Sequence, residues 1–357
     1  MNTYDLVVSA RFERSELERI SDSVPNVRYA GYGVTGEKLP EDALIAALEG
    51  ADLFVLEFEQ VSRRVLETAS KLKAIGCCRT GPEANVDIGA ATELGIPVLY
   101  TPGRNAVSVA EYTIGLMISV ARHLAEAYHL LRYTEDLTEV HYSDKTTERL
   151  SVTSEWSIDP RAPFNRFQGP ELSGKTIGLV GFGAIAREIA VRARAFNMAV
   201  TAYDPYVSAN AFGELGATSV SLDEVAGGAD FVVMAAKVTP ETTGMFSRRH
   251  FSLMKPTAYF INTARAAVVD YEALHEALAQ KRIAGAALDV FTEEPMLSTN
   301  PLRALSNVLI SPHLAGASRD IPRHHSRIMV DDLALVLSGK RPRFLKNPEV
   351  WDRRRPL

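Results

Sequence analysis

The chain has 357 residues, enough for two hydrophobic cores. It is 46% hydrophobic and 23% charged, with a formal net charge of −5, which is the composition of a soluble globular protein and argues against a basic nucleic-acid binder. No apolar run reaches the roughly 18 residues of a membrane span, and the N-terminus lacks the charged, apolar and small-residue regions of a secretory leader. The two cysteines, Cys77 and Cys78, are adjacent. They point to a reducing compartment, the cytoplasm, and read as small buried hydrophobes within a strand.

In chain order, residues 5–9, 52–56, 72–78 and 96–100 read as strands, with helical patterns around 44–48, 61–70 and 86–94 between them. Such alternation predicts a parallel sheet covered by helices. Residues 108–131 read as one long helix, apolar nearly all round and therefore buried between domains or subunits. Residues 132–169 turn rich in Thr, Ser, Asp, Glu and Arg and read as a long connection or assembly arm. From Lys175 the alternation restarts, with strands expected at 176–181, 199–204, 231–236, 258–263, 284–290 and 308–311, and a final helix from Ile321 stopped by Gly339. Six strands with crossover helices make a complete dinucleotide-binding domain.

The first of these strands runs into Gly181, Gly183 and Ala186, spaced Gly-x-Gly-x-x-Ala. Gly181 permits a tight turn, Gly183 admits a pyrophosphate close to the backbone, and Ala186 lets helix and strand pack closely. The following helix start offers unpaired N–H groups to the phosphates. Asp204 ends the next strand, 21 residues beyond Gly183, where a carboxylate would accept from the ribose hydroxyls and repel a 2′-phosphate. The cofactor expected is NAD rather than NADP, and no metal is expected.

Ligands of an open parallel sheet lie beyond the carboxyl ends of its strands. Arg265, Glu294 and His313 follow three successive strands of this second domain. A guanidinium can hold a carboxylate and polarise the adjacent carbonyl. An imidazole can exchange a proton with the resulting alkoxide, and a neighbouring carboxylate can orient it. Asp289, at a strand end, is a candidate partner for the nicotinamide carboxamide. Arg79 and Arg104 are candidate phosphate contacts, set against the ordinary reading of solvated surface arginines.

The chain resembles the D-isomer-specific 2-hydroxyacid dehydrogenases over nearly its whole length. The likeness is carried by residues 85–91 (NVDIGAA), 101–105 (TPGRN), 109–111 (VAE), 172–183 (LSGKTIGLVGFG), 260–265 (FINTAR), 288–295 (LDVFTEEP) and 311–316 (SPHLAG). The resemblance implies an α/β fold of two doubly wound parallel-sheet domains, with a Rossmann NAD-binding domain at 108–319 inserted into a flavodoxin-like substrate domain at 1–107 and 320–357. It implies that Arg265, Glu294 and His313 match the family's catalytic residues, and that the backbone at Arg79, Thr80 and Gly81 lines the site of the substrate carboxylate. Ala184, Ile185, Val238, Thr239, Thr263, Ala264 and Ser108 complete the expected cofactor contacts, and a homodimer is the expected assembly. The substrate implied is a small 2-hydroxy or 2-keto acid. The alternative on the same fold is an NAD(H)-sensing, corepressor-like regulator.

Two departures from the pattern stand out. Ala266 replaces the glycine that usually follows the arginine, and it would be strained if that position needed a positive φ. Pro82 and Glu83 stand in the substrate loop, where small residues are usual.

Overall fold

A computed structural model describes residues 3–134 and 162–356. It divides into two compact units, Met1–Asn105 with Ser318–Leu357, and Ala106–Ala317.

The first unit is built on a five-stranded parallel sheet. Its strands are β1 (Asp5–Val8), β2 (Asn26–Tyr29), β3 (Leu53–Leu56), β4 (Ala74–Cys77) and β5 (Val98–Tyr100), in the order β2-β1-β3-β4-β5. This is the flavodoxin-like order. Its central strands β3 and β4 are buried throughout, as expected of a sheet covered on both faces. Side chains alternate between two cores. Val7, Phe54, Ile75 and Val98 face Leu44, Val65 and Ala90 of the crossover helices. Leu6, Val55, Cys78 and Leu99 face Met329, Val330 and Leu333 of the helix Ile321–Leu337. Gly76 has no side chain because a Cβ there would run into the Met329 sulfur. Ser62 and Asp87 cap their helices by accepting from the amides of Val65 and Ala90, each cap worth about 1 kcal/mol. Both cysteines are fully buried and unbridged. Burial pushes the Cys77 thiol up to about 12, so it stays protonated and inert.

The second unit has seven parallel strands, one more than the sequence suggests. They are β6 (Thr176–Val180), β7 (Ala199–Tyr203), β8 (Ala217–Ser219), β9 (Phe231–Met234), β10 (Tyr259–Asn262), β11 (Gly285–Leu288) and β12 (Val308–Ile310). The order β8-β7-β6-β9-β10-β11-β12 reverses direction between β6 and β9. That is the Rossmann arrangement with one strand added, and it opens the ligand crevice at the carboxyl ends of β6 and β9.

The single long helix expected at 108–131 is two helices, Ala106–Ala121 and Leu124–Tyr133. His123 between them adopts a left-handed conformation, φ 53°, which redirects the chain. Ala110, Ile114, Met117 and Ala121 of the first helix pack with Ile189, Ala190 and Ala193 of the helix Ala184–Ala195 in one core. Of the expected connection at 132–169, residues 135–161 lie outside the described residues, and Pro163–Arg166 form a helical turn. Among the described residues no helix is long and apolar enough to cross a membrane.

Candidate active site

At the carboxyl end of β6, Gly181 sits at φ 96°, and a Cβ there would lie 2.8 Å from the Ala236 amide nitrogen beyond β9. Only glycine satisfies both the dihedral and the close approach. Gly183 and Ala184 are exposed at the start of the helix Ala184–Ala195, and a Cβ on Gly183 would meet nothing within 4 Å. No side chain caps this helix start, so its first N–H groups are available to an anion. A loop of this shape with open donors fits a dinucleotide pyrophosphate. Arg187, not anticipated from the sequence, donates from Nε to the Phe182 carbonyl at 3.1 Å, which sets a cation beside the loop.

Asp204 follows β7, with one oxygen accepting from the Phe182 amide at 2.8 Å and the other from the Tyr206 amide at 3.0 Å. A carboxylate accepts about four hydrogen bonds, so capacity remains for a ribose diol. Ile185 is half-buried in the helix's first turn, Val238 and Thr239 lie on the open segment after β9, and Ser108 is half-buried near the start of its helix. Thr263 is buried, its hydroxyl 2.9 Å from that of Thr113.

Arg265, Glu294 and His313 lie in the loops that follow β10, β11 and β12. His313 Nδ1 is 2.6 Å from Glu294 Oε2, and the other Glu294 oxygen accepts from the Phe291 amide at 3.0 Å. Burial raises the Glu294 carboxyl. The hydrogen bonds from His313 and Phe291, with the charges of His313 and Arg265, outweigh burial and hold it below the ordinary carboxylate value. The His313 and Glu294 side chains remain 42% and 36% exposed, so a small molecule can reach the ring. Arg265 is exposed, and its guanidinium donates to the Ala264 carbonyl at 2.7 Å.

Buried polar residues at the strand ends shape these loops. His313 takes φ 56°, unusual for a residue with a side chain. Asp289, fully buried, holds that turn. One of its oxygens accepts from Ser311 Oγ at 2.7 Å and the Leu314 amide at 2.8 Å, and the other accepts from the Ala315 amide at 2.8 Å. The residue expected to meet a nicotinamide carboxamide therefore serves first as the anchor of the histidine loop, with capacity left for about one further donor. Asn262 does the same for the arginine loop. Its Oδ1 accepts from the Ala264 amide at 3.0 Å and its Nδ2 donates to the Arg265 carbonyl at 3.1 Å. Ala266 begins a short 3-10 turn without a positive φ, so alanine is accommodated and the expected strain is absent.

In the first unit, Arg79, Thr80 and Gly81 follow β4, with the Arg79 guanidinium 5.0 Å from the Phe58 ring centroid. Arg104 is committed elsewhere. It donates to Glu57 at 2.7 Å and lies 3.3 Å from His325 Nδ1, while His325 Nε2 is 2.5 Å from the Arg11 carbonyl. Paired with a buried carboxylate, Arg104 is poorly suited to the phosphate role considered for it.

Residues 114–315 match the family model described as D-isomer specific 2-hydroxyacid dehydrogenase, NAD binding domain. Over 319 residues the chain is 37% identical to YoaD of Bacillus subtilis, which carries a 2-hydroxyacid dehydrogenase name, covering 88% of this chain and 85% of that protein. It is 34% identical over 321 residues to the glyoxylate reductase of Pyrococcus furiosus, covering 89% of each chain. A solved structure, the TT0316 protein of Thermus thermophilus, superposes with a TM-score of 0.65 at 30% identity, covering 96% of this chain and 99% of that one. With its two parallel-sheet units, its glycine cradle and these relatives, the chain belongs to the D-isomer-specific 2-hydroxyacid dehydrogenases, NAD-dependent enzymes, and residues 114–315 are their NAD-binding domain.

Proposed function

We propose that the chain interconverts a small D-2-hydroxy acid and its 2-keto acid through His313, Glu294 and Arg265. The observation that carries this reading is the 2.6 Å contact between His313 Nδ1 and Glu294 Oε2 in loops at the carboxyl edge of an NAD-binding sheet. With Nδ1 committed to the carboxylate, Nε2 is the ring's working atom. The bound nicotinamide supplies the hydride in reduction and accepts it in oxidation. Arg265 binds the substrate carboxylate and polarises the C2 carbonyl. His313 gives its Nε2 proton to the forming alkoxide, and in oxidation its neutral Nε2 takes the proton from the hydroxyl. Glu294 keeps the ring oriented and compensates its charge.

Gly181, Gly183, Ala184 and Ile185 take the pyrophosphate in this reading, and Asp204 takes the ribose hydroxyls and disfavours NADP. Val238, Thr239, Thr263, Ala264, Ser108 and the remaining capacity of Asp289 complete the cofactor contacts. The backbone at Arg79, Thr80 and Gly81 is assigned to substrate binding on the family pattern alone. A cytoplasmic homodimer is the proposed state. The helix Leu124–Tyr133 supports it, because Leu124, Tyr128 and Leu131 form an apolar stripe at least 54% exposed, which a second copy would cover.

The test is NADH oxidation with glyoxylate, hydroxypyruvate, 2-ketobutyrate and phosphohydroxypyruvate. Turnover on at least one is expected, and His313→Ala should abolish it while NADH binding stays within about twofold. Tight NADH binding without turnover on any keto acid would favour the regulatory alternative. Loss of NADH binding in His313→Ala would make the histidine a structural residue.

A further inference from the structure

The loops bearing Arg265 and Glu294 leave neighbouring strands, and one phenol hydroxyl stands between their roots. Tyr271 is the first residue of the helix Tyr271–Ala279, with Asp270 as its cap. Its hydroxyl donates to the Val290 carbonyl at 2.5 Å and accepts from Asn262 Nδ2 at 3.4 Å. Val290 lies two residues beyond the end of β11, just before Phe291, whose amide binds Glu294. Asn262 ends β10 and clamps the Arg265 carbonyl. β10 and β11 are paired through Asn262 and Leu288, which is where their ladder stops. Beyond that rung the two chains diverge, and the Tyr271 hydroxyl continues the connection.

Packing alone does not account for a hydroxyl in this place. Phenylalanine fills nearly the same volume, and a buried hydroxyl costs free energy unless it is bonded. Here the hydroxyl is bonded, and to the segment from which the Glu294 loop departs. The phenol also lies within electrostatic reach of the Glu294 carboxylate.

We propose that Tyr271 is a positioning residue that fixes the Glu294 loop relative to the Arg265 loop, and so sets the alignment of proton donor and carboxylate clamp. The inference rests on the roles proposed above for Arg265, Glu294 and His313. Tyr271 touches neither substrate nor cofactor in this account. It acts through Val290 on Glu294 and, more weakly through the longer bond, through Asn262 on Arg265.

The experiment compares Tyr271→Phe, Glu294→Gln and the double variant in keto-acid reduction from pH 5 to 9, with NADH affinity followed by fluorescence and folding by circular dichroism. Small displacements of reacting groups carry large rate penalties. Tyr271→Phe should lower kcat about tenfold and displace the pH profile, with NADH affinity within about twofold. In the Glu294→Gln background the same change should cost less than about twofold, since both act through one carboxylate. Placing 4-aminophenylalanine at position 271 keeps a donor facing Val290 and should restore the native pH profile.

A Tyr271→Phe enzyme that melts earlier but keeps native kcat and pH profile, beside a crippled Glu294→Gln enzyme, would overturn the positioning role alone. An equal loss in both backgrounds would also overturn it, because the tyrosine would then act independently of Glu294. A native-like Glu294→Gln enzyme would overturn the reading of the active site itself.

Discussion

Replacing Asp289 with asparagine is isosteric, yet it removes an acceptor from a place where every neighbour is a donor. The carboxylate accepts from Ser311 Oγ and from the amides of Leu314 and Ala315, at 2.7 to 2.8 Å, and is fully buried. An asparagine can orient its carbonyl toward Ser311 and Leu314, but its NH2 group then faces the Ala315 N–H. One buried donor left without an acceptor costs about 1–3 kcal/mol, and the two retained bonds lose the strength that charge gives them. The sum is about 2–4 kcal/mol of stability. For a domain of about 200 residues, each kcal/mol lowers Tm by roughly 2–4 °C. Thermal unfolding followed by circular dichroism should therefore show Asp289→Asn melting roughly 4–16 °C below the native protein. Because the released turn carries His313, kcat for keto-acid reduction should fall more than tenfold. Ser311→Ala, which removes a single bond, should lower Tm by only a few degrees. A Tm within about 2 °C of native together with unchanged kcat would refute the assignment of Asp289 as the anchor of the histidine loop.

Two further expectations follow from other buried or strand-end groups. Asp204→Ala should raise the relative use of NADPH while costing little stability, because only two partly exposed amide contacts are lost; an unchanged cofactor preference in steady-state kinetics would remove Asp204 from that role. Burial lowers His325 from an ordinary 6.5 to about 4, so below pH 6.5 the unfolded chain binds a proton that the folded chain does not. Stability should then fall as pH drops from about 6.5 toward 4, by at most about 3 kcal/mol. In His325→Gln the amide can still donate to the Arg11 carbonyl and accept from Arg104, and urea unfolding between pH 7 and 4.5 should show a shallower acid loss. An identical slope would place the acid sensitivity elsewhere.

The parts of the fold legible in the sequence were those dictated by burial on two faces. β3, β4 and β9 are unbroken apolar runs, β6 is one after its first residue, and they read as strands. β2 was missed because it is a four-residue edge strand, Asn26–Tyr29, with alternating exposed and half-buried side chains. β8, at an edge of the other sheet, is three residues long. Edge strands bury little, so their sequences carry little signal. The break at His123 was equally silent, since neither glycine nor proline marks it.

Within the site, the glycine cradle and the three strand-end polar residues were readable because chemistry and position coincide there. Asn262 and Tyr271 were not. Tyr271 makes its decisive contact with the Val290 carbonyl in another loop, which no spacing in one dimension encodes, and Asn262 binds the backbone two and three residues on, a local turn that its place at the end of an apolar strand does not announce. Ala266 illustrates the converse: a rule about glycine suggested strain, while the local 3-10 turn simply does not need a positive φ.

The helix Ile321–Leu337 gives the first unit a face of its core, through Met329, Val330 and Leu333 against Leu6, Val55 and Leu99. In sequence, that helix lies beyond the entire second unit. On the ribosome, the sheet of the first unit must wait for about 200 intervening residues before its covering helix is made, some 10–40 s at usual elongation rates. The inserted unit is contiguous and can fold during that interval. The first unit meanwhile presents an uncovered apolar surface, so the order of synthesis makes the earliest residues the last to be sheltered and the most dependent on chaperones while the chain grows.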